Sequence, residues 1–194
     1  MDATWLKMSI PDRMVYAVER VRERMQRATS ALEAAGVPYA VAGGNAVAVW
    51  VATIDEAAVR NTQDVDILLR REDLDAVEQA LKPHGFIRRK VAGIEMFLDG
   101  AEAKPRDAVR IFLSGEPIHA AGNIPDVSES VMLQEKRILK LDSIVQMALM
   151  TYKLDDQVDL RDMLDVGLID QSWTSRLPEE LAAKLQLLID TPDG

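Results

Sequence analysis

Apolar residues return at alternating three- and four-residue steps from Met14 through Val18, Val21, Met25, Ala28 and Leu32 to Ala35. That spacing lays one apolar stripe along a helix over residues 11–35, with Pro11 suited to its first turn and Gly36 to its C-terminal end. Arg20, Arg22, Glu23, Arg24 and Arg27 fall on the other faces and read as a solvated surface. Tyr39 to Ala42 is a short apolar run closed by Gly43-Gly44, after which Asn45 to Val51 begins a helix. Asp64 to Leu69 reads as a second strand, and Glu72 to Leu81 as a short helix stopped at Pro83-His84-Gly85. Phe86 to Val91 and Ile94 to Leu98 suit a hairpin turning at Ala92-Gly93, followed by a strand from Val109 to Leu113. Residues 117–130 are turn-rich and read as a linker or active-site loop. Helices are then expected over about 142–152, 157–168 and 178–189, the last burying Leu181, Leu185 and Leu188. The pattern gives an α+β chain with a mixed sheet first and a helical C-terminal third, divided into a core over 1–116 and a region over 117–194 packing on it.

Composition narrows the chemistry. The 194 residues hold no cysteine and two histidines, which argues against disulfides, thiolate metal sites and zinc and fits a cytoplasmic setting. His84 reads as a surface residue, and His119 sits in the turn-rich loop where it could touch a substrate. No apolar run approaches a membrane span. With 23 basic against 32 acidic residues the net charge is −9, which argues against bulk nucleic-acid binding and favours a small-molecule or protein partner. Trp5, Trp50 and Trp173 are too scattered for a stacking platform and read as packing residues.

Two short motifs carry the candidate chemistry. A glycine pair at the end of an apolar run offers bare backbone N–H groups in a tight turn, suited to a phosphate chain. Asp64 and Asp66, at i and i+2 of a strand, share a face roughly 7 Å apart, and a carboxylate pair that close suits an oxygen-ligated cation. Each alone has a plain structural reading, as a strand-to-helix turn and a solvated edge.

In that order, GGNAVAVW and then RNTQDVDILL resemble the nucleotidyltransferase superfamily that shares a Gly-Gly turn and a DxD strand. The lincosamide nucleotidyltransferases and the abortive-infection type IV toxin group look most similar, the latter adding a lysine helix and an Arg-Asp-x-x-Asp segment, here Lys153 and Arg161 to Asp165. The resemblance implies a nucleotidyltransferase-like mixed sheet flanked by helices, and transfer of an NMP group from an NTP to a hydroxyl acceptor. Gly43 and Gly44 would then cradle the phosphates, and Asp64 and Asp66 would be catalytic and hold Mg²⁺ or Mn²⁺. Arg60, Thr62 and Lys153 would touch nucleotide, while Arg110, Asp162 and Asp165 would fall on the acceptor side.

One position departs from that pattern. Active members take a third carboxylate from a later strand, and here the inward polar residue is Arg110. Asp107, Glu95 and Asp99 are the other acids within reach of replacing it. A guanidinium beside Asp64 and Asp66 supplies charge where a metal otherwise would, so the alternative reading is a degenerate fold member acting as a nucleotide-binding, toxin–antitoxin or partner-binding module. The 11–35 helix packs either on its own sheet or on a second copy, which would make a homodimer. A DxD glycosyltransferase fits poorly, because the strand, glycine pair and helix precede the DxD.

Overall fold

In the computed structural model, which describes residues 8–118 and 122–192, a seven-stranded mixed sheet runs in the spatial order 86–91, 94–99, 108–113, 65–69, 40–42, 136–139 and 130–133. Trp5 and His119 lie outside the described residues. The chain enters by helix α1 (Ile10–Ala34), then β1 (Ala40–Ala42), α2 (Gly43–Ala52), β2 (Val65–Leu69) and α3 (Leu74–Leu81). The hairpin β3 (Phe86–Val91) and β4 (Ile94–Asp99) leads to β5 (Ala108–Leu113), with Ala92 and Gly93 both at positive φ in the two-residue turn. A small hairpin, β6 (Pro117–Ile118) and β7 (Gly122–Asn123), precedes β8 (Ser130–Leu133) and β9 (Lys136–Leu139). Helices α4 (Leu141–Thr151), α5 (Leu154–Asp165) and α6 (Glu179–Asp190) complete the α+β fold with the expected helical end.

The central strand β2 is buried along its whole length and pairs antiparallel with β1 and parallel with β5. Alternation therefore sends Val65, Ile67 and Leu69 to one covered face and Asp66 and Leu68 to the other. Helix α1 caps itself with Ser9, which accepts from the Asp12 N–H, and stops at Gly36, whose φ is +66°. Only its second half is buried, through Val21, Ala28, Ala31 and Leu32, while Ile10, Met14 and Val15 stay exposed.

Two expectations change here. Arg24 and Arg27 are not on a solvated face: Arg24 is 2% exposed and pairs with Asp99 at 3.3 Å and Asp107 at 3.6 Å. Arg27 also pairs with Asp99 and lies 4.7 Å over the Phe86 ring. An acid on the last residue of β4 draws the basic side of α1 down onto the sheet. The β8–β9 hairpin, where no strand was expected, adds two strands beyond β1, with Val41 opposite Ile138 in a parallel pair. Small boundary shifts have local causes. Helix α5 starts three residues early because the Asp156 carboxylate accepts the Lys153 N–H at 2.9 Å. Strand β2 starts one residue late, the Asp64 carbonyl being taken by the Asn45 side-chain amide at 2.5 Å.

His84 is exposed, as expected. Trp50 donates its indole N–H to the Leu139 carbonyl at 2.9 Å, and Trp173 is buried under Arg176, so both are packing residues. No described helix is long and apolar enough to cross a membrane.

Candidate nucleotide site

The two sequence motifs meet because of what the glycines lack. Gly43 has φ +58°, and a Cβ there would lie 2.3 Å from Oδ2 of Asp66. A Cβ on Gly44 would lie 3.0 Å from the Thr62 hydroxyl. The glycine pair lets the start of α2 approach the DxD strand closely. Ala42, at the N-cap of α2, supplies no capping side chain, so the first-turn N–H groups receive none there.

Arg110 sits opposite Asp66 in the parallel β2–β5 pair. Its Nε donates to Oδ1 of Asp66 at 2.6 Å and its Nη2 to Oδ2 at 2.9 Å, while Nη1 lies 3.1 Å from Oδ2 of Asp64. One guanidinium thus spans both DxD carboxylates. Burial pushes the Asp66 carboxyl above the usual carboxylate range, with Arg110 opposing the shift, while its bond to Asp66 pushes Arg110 up.

Across the strands the row through this point reads Ala42, Asp66, Arg110, Met96. No third acid enters it. Asp99 is held by α1, Asp107 by Arg24, and Glu95 by Arg88 at 3.3 Å and Lys90 at 3.6 Å. Arg110 occupies the oxygens that the resemblance would give to a divalent cation. Both Asp66 oxygens and one Asp64 oxygen already accept from Arg110, and among the described residues no three His, Asp or Glu side chains converge.

Helix α5 supplies an acidic wall. Arg60 binds Asp162 through Nε at 2.8 Å and also pairs with Asp159, so it anchors the loop before β2 to this helix. Asp155 and Asp156 act electrostatically on Arg110 and Asp66 respectively. Asp156 itself accepts from Thr151 Oγ1 at 2.7 Å. Lys153 is exposed at the start of α5, and Asp165 is exposed at its last turn. Arg161 serves structure, donating to the carbonyls of Leu188 in the last turn of α6 and of Thr191 and Pro192 just beyond it. Asn45, which pins the Asp64 backbone, is the site residue that sequence reasoning missed; its place directly after the glycine pair was the available signal.

Burial raises the Asp159 carboxyl to about 6, against the opposing charge of Arg60. A carboxyl raised in the fold gives stability that is full below the unfolded value near 4 and lost as pH climbs through 6. In urea unfolding, wild type should gain on the order of 2 kcal/mol relative to Asp159→Asn as pH falls from 7 to 4.5. A constant difference over that range would exclude the shift.

The comparisons with known proteins bear on this geometry. The antibiotic-resistance factor ANT(2″)-Ia superposes with a TM-score of 0.51 at 10% identity, covering 88% of this chain and 91% of that one. An antigenic nucleotidyltransferase-like protein from Paracoccidioides brasiliensis gives 0.52 at 15% identity, covering 90% of each chain. At those identities the likeness is one of fold. The curated proteins include no match to this sequence. The family described as uncharacterised nucleotidyltransferase matches residues 14–113, which run from α1 to the end of β5 and take in the glycine pair, both aspartates and Arg110. On that match over more than half its length, the chain belongs to this nucleotidyltransferase family.

Proposed function

We propose that this chain binds a nucleoside triphosphate over the Gly43-Gly44 turn, with Arg110 in place of the divalent cation. The observation that carries this reading is the Arg110 clamp on both DxD carboxylates. The uncapped start of α2 offers N–H donors to phosphate. A guanidinium that bridges Asp64 and Asp66 offsets one of their two charges and holds the pair together without a metal, and Arg110 is 37% exposed, so its outer edge is open to an anion. Lys153 adds a point charge at the start of α5. The protein on this reading is a nucleotide-binding module of the family, of the regulatory, toxin–antitoxin or partner-binding kind.

A second reading is favoured by the retained DxD, whose Asp64 is 42% exposed and meets Arg110 at its rim. Here the chain performs Mg²⁺- or Mn²⁺-dependent transfer of an NMP group from an NTP to a hydroxyl acceptor, with Asp162 and Asp165 on the acceptor side.

Calorimetric titration of ATP, GTP, CTP and UTP, in EDTA and in Mg²⁺, separates the two. Saturable binding in EDTA, weakened about tenfold or more in Arg110→Gln, is the expected result; one charge-assisted hydrogen bond is worth about 1.5–3 kcal/mol. Binding that needs Mg²⁺ and disappears in Asp64→Asn would transfer the assignment to the second reading. No binding of any of the four would remove both.

A further inference from the structure

The far end of the same central strands carries a cavity that the nucleotide reading leaves unused. Arg70 follows the C-terminal end of β2, and Tyr39 precedes β1, its antiparallel neighbour. At about 3.3 Å per residue, this end of the sheet is roughly 13–20 Å along the strand from Asp66 and Asp64. There the C-terminal end of α1, the segment leading into β8, and β9 border an open cavity of about 380 Å³, a volume within the range of small-molecule sites.

The polar residues of its lining are held in place, beside an apolar part made by Val37, Pro38 and Val127. Glu33, Tyr39, Arg70, Ser128, Ser130 and Arg137 all border it. Asp126 grips Arg70 at 3.0 Å through Nε and 2.7 Å through Nη2, leaving Nη1 without a partner among the described residues. Asp126 is in turn fixed by the Ser128 N–H at 3.0 Å. Glu33 takes Nε of Arg137 at 2.9 Å, and neither terminal nitrogen of that guanidinium has a partner among the described residues. The Tyr39 hydroxyl is buried, with the Thr29 side chain and the Arg137 backbone beside it.

We propose that this cavity is a second ligand site, separate from the Gly-Gly turn, for a small molecule bearing a phosphate or carboxylate group. Its carboxylates orient the two guanidinium groups rather than exhaust them, and the oxyanion takes the N–H donors that remain. Ser128 and Ser130 stand at the same wall, the Ser130 hydroxyl donating to the Val127 carbonyl at 2.7 Å.

Amide chemical-shift titration of the full chain with inorganic phosphate and, separately, with succinate tests this. The expected result is a saturable perturbation grouped at residues 36–39, 127–130 and 137. Its apparent Kd should weaken about tenfold or more in Arg137→Gln, a change of about 1.4 kcal/mol. Arg137 is 45% exposed, so that variant keeps the fold, and saturation separates binding from the general effect of excluded salts. Whichever anion saturates at the lower concentration identifies the oxyanion. Perturbation by neither anion, grouping at residues 43–46 and 64–66 instead, or a response unchanged in Arg137→Gln would each overturn the proposal.

Discussion

Arg110→Leu should cost about 3–5 kcal/mol at pH 7, the range expected when one partner of a buried ion pair is removed. The side chain fills space as well as carrying charge, and leucine keeps much of the volume. What remains is Asp66, 4% exposed, with both oxygens stripped of their donors. The variant answers by protonating. Its Asp66 carboxyl, already raised in wild type, rises further once the guanidinium that opposes the shift is gone. A raised carboxyl stabilises below its unfolded value near 4 and loses that contribution as pH climbs through the folded value, so the deficit of Arg110→Leu should shrink from pH 7 to pH 5. Urea unfolding at the two values gives the comparison. The double variant Arg110→Leu/Asp66→Asn should recover most of the loss, since no buried charge is then unpaired. A deficit equal at both pH values, and untouched by Asp66→Asn, would mean that packing alone explains the cost.

Gly43→Ala should be nearly as damaging, at about 3 kcal/mol or more. The left-handed backbone costs about 1–2 kcal/mol for any residue with a Cβ. The new methyl would also stand 2.3 Å from an Asp66 oxygen that Arg110 and the buried strand hold in place. Gly85→Ala isolates the second part, because Gly85 has φ +83° and a methyl added there would meet nothing within 4 Å. That control should lose only the backbone cost. At about 2–4 °C per kcal/mol for a chain near this size, the two should separate by several degrees in thermal unfolding. Equal melting temperatures would show that Asp66 moves aside freely and that the turn is not fitted to it.

Much of this arrangement was legible in local patterns. The three-and-four stepping of α1, the two-residue β3–β4 turn and the glycine pair followed by the DxD strand all depend on neighbours in sequence, and all appear in the fold. Arg110 as the polar inward residue of β5 was legible for the same reason, since period-two counting needs only the strand. Long-range pairing was not legible. Nothing near Arg60 announces Asp159 and Asp162, about a hundred residues on, and nothing near Arg24 announces Asp99. Basic residues on an amphipathic helix look solvated until the acid that buries them is known. The β8–β9 hairpin escaped because its strands have four residues each, too few for alternation to stand out.

The parallel contact between Val41 and Ile138 also sets an order of events in folding. Strand β1 is only three residues long and wholly buried, yet one of its two flanks stays open until a hairpin nearly a hundred positions later has been synthesised. A nascent chain can pair β1 with β2 early, as β2 follows within thirty residues. At that stage it displays a bare, apolar edge of Ala40, Val41 and Ala42, the kind of edge on which chains join one another. Closing so long a loop slows the final step, so refolding from dilute denaturant should lag behind that of helical chains of similar length and yield more aggregate as protein concentration rises.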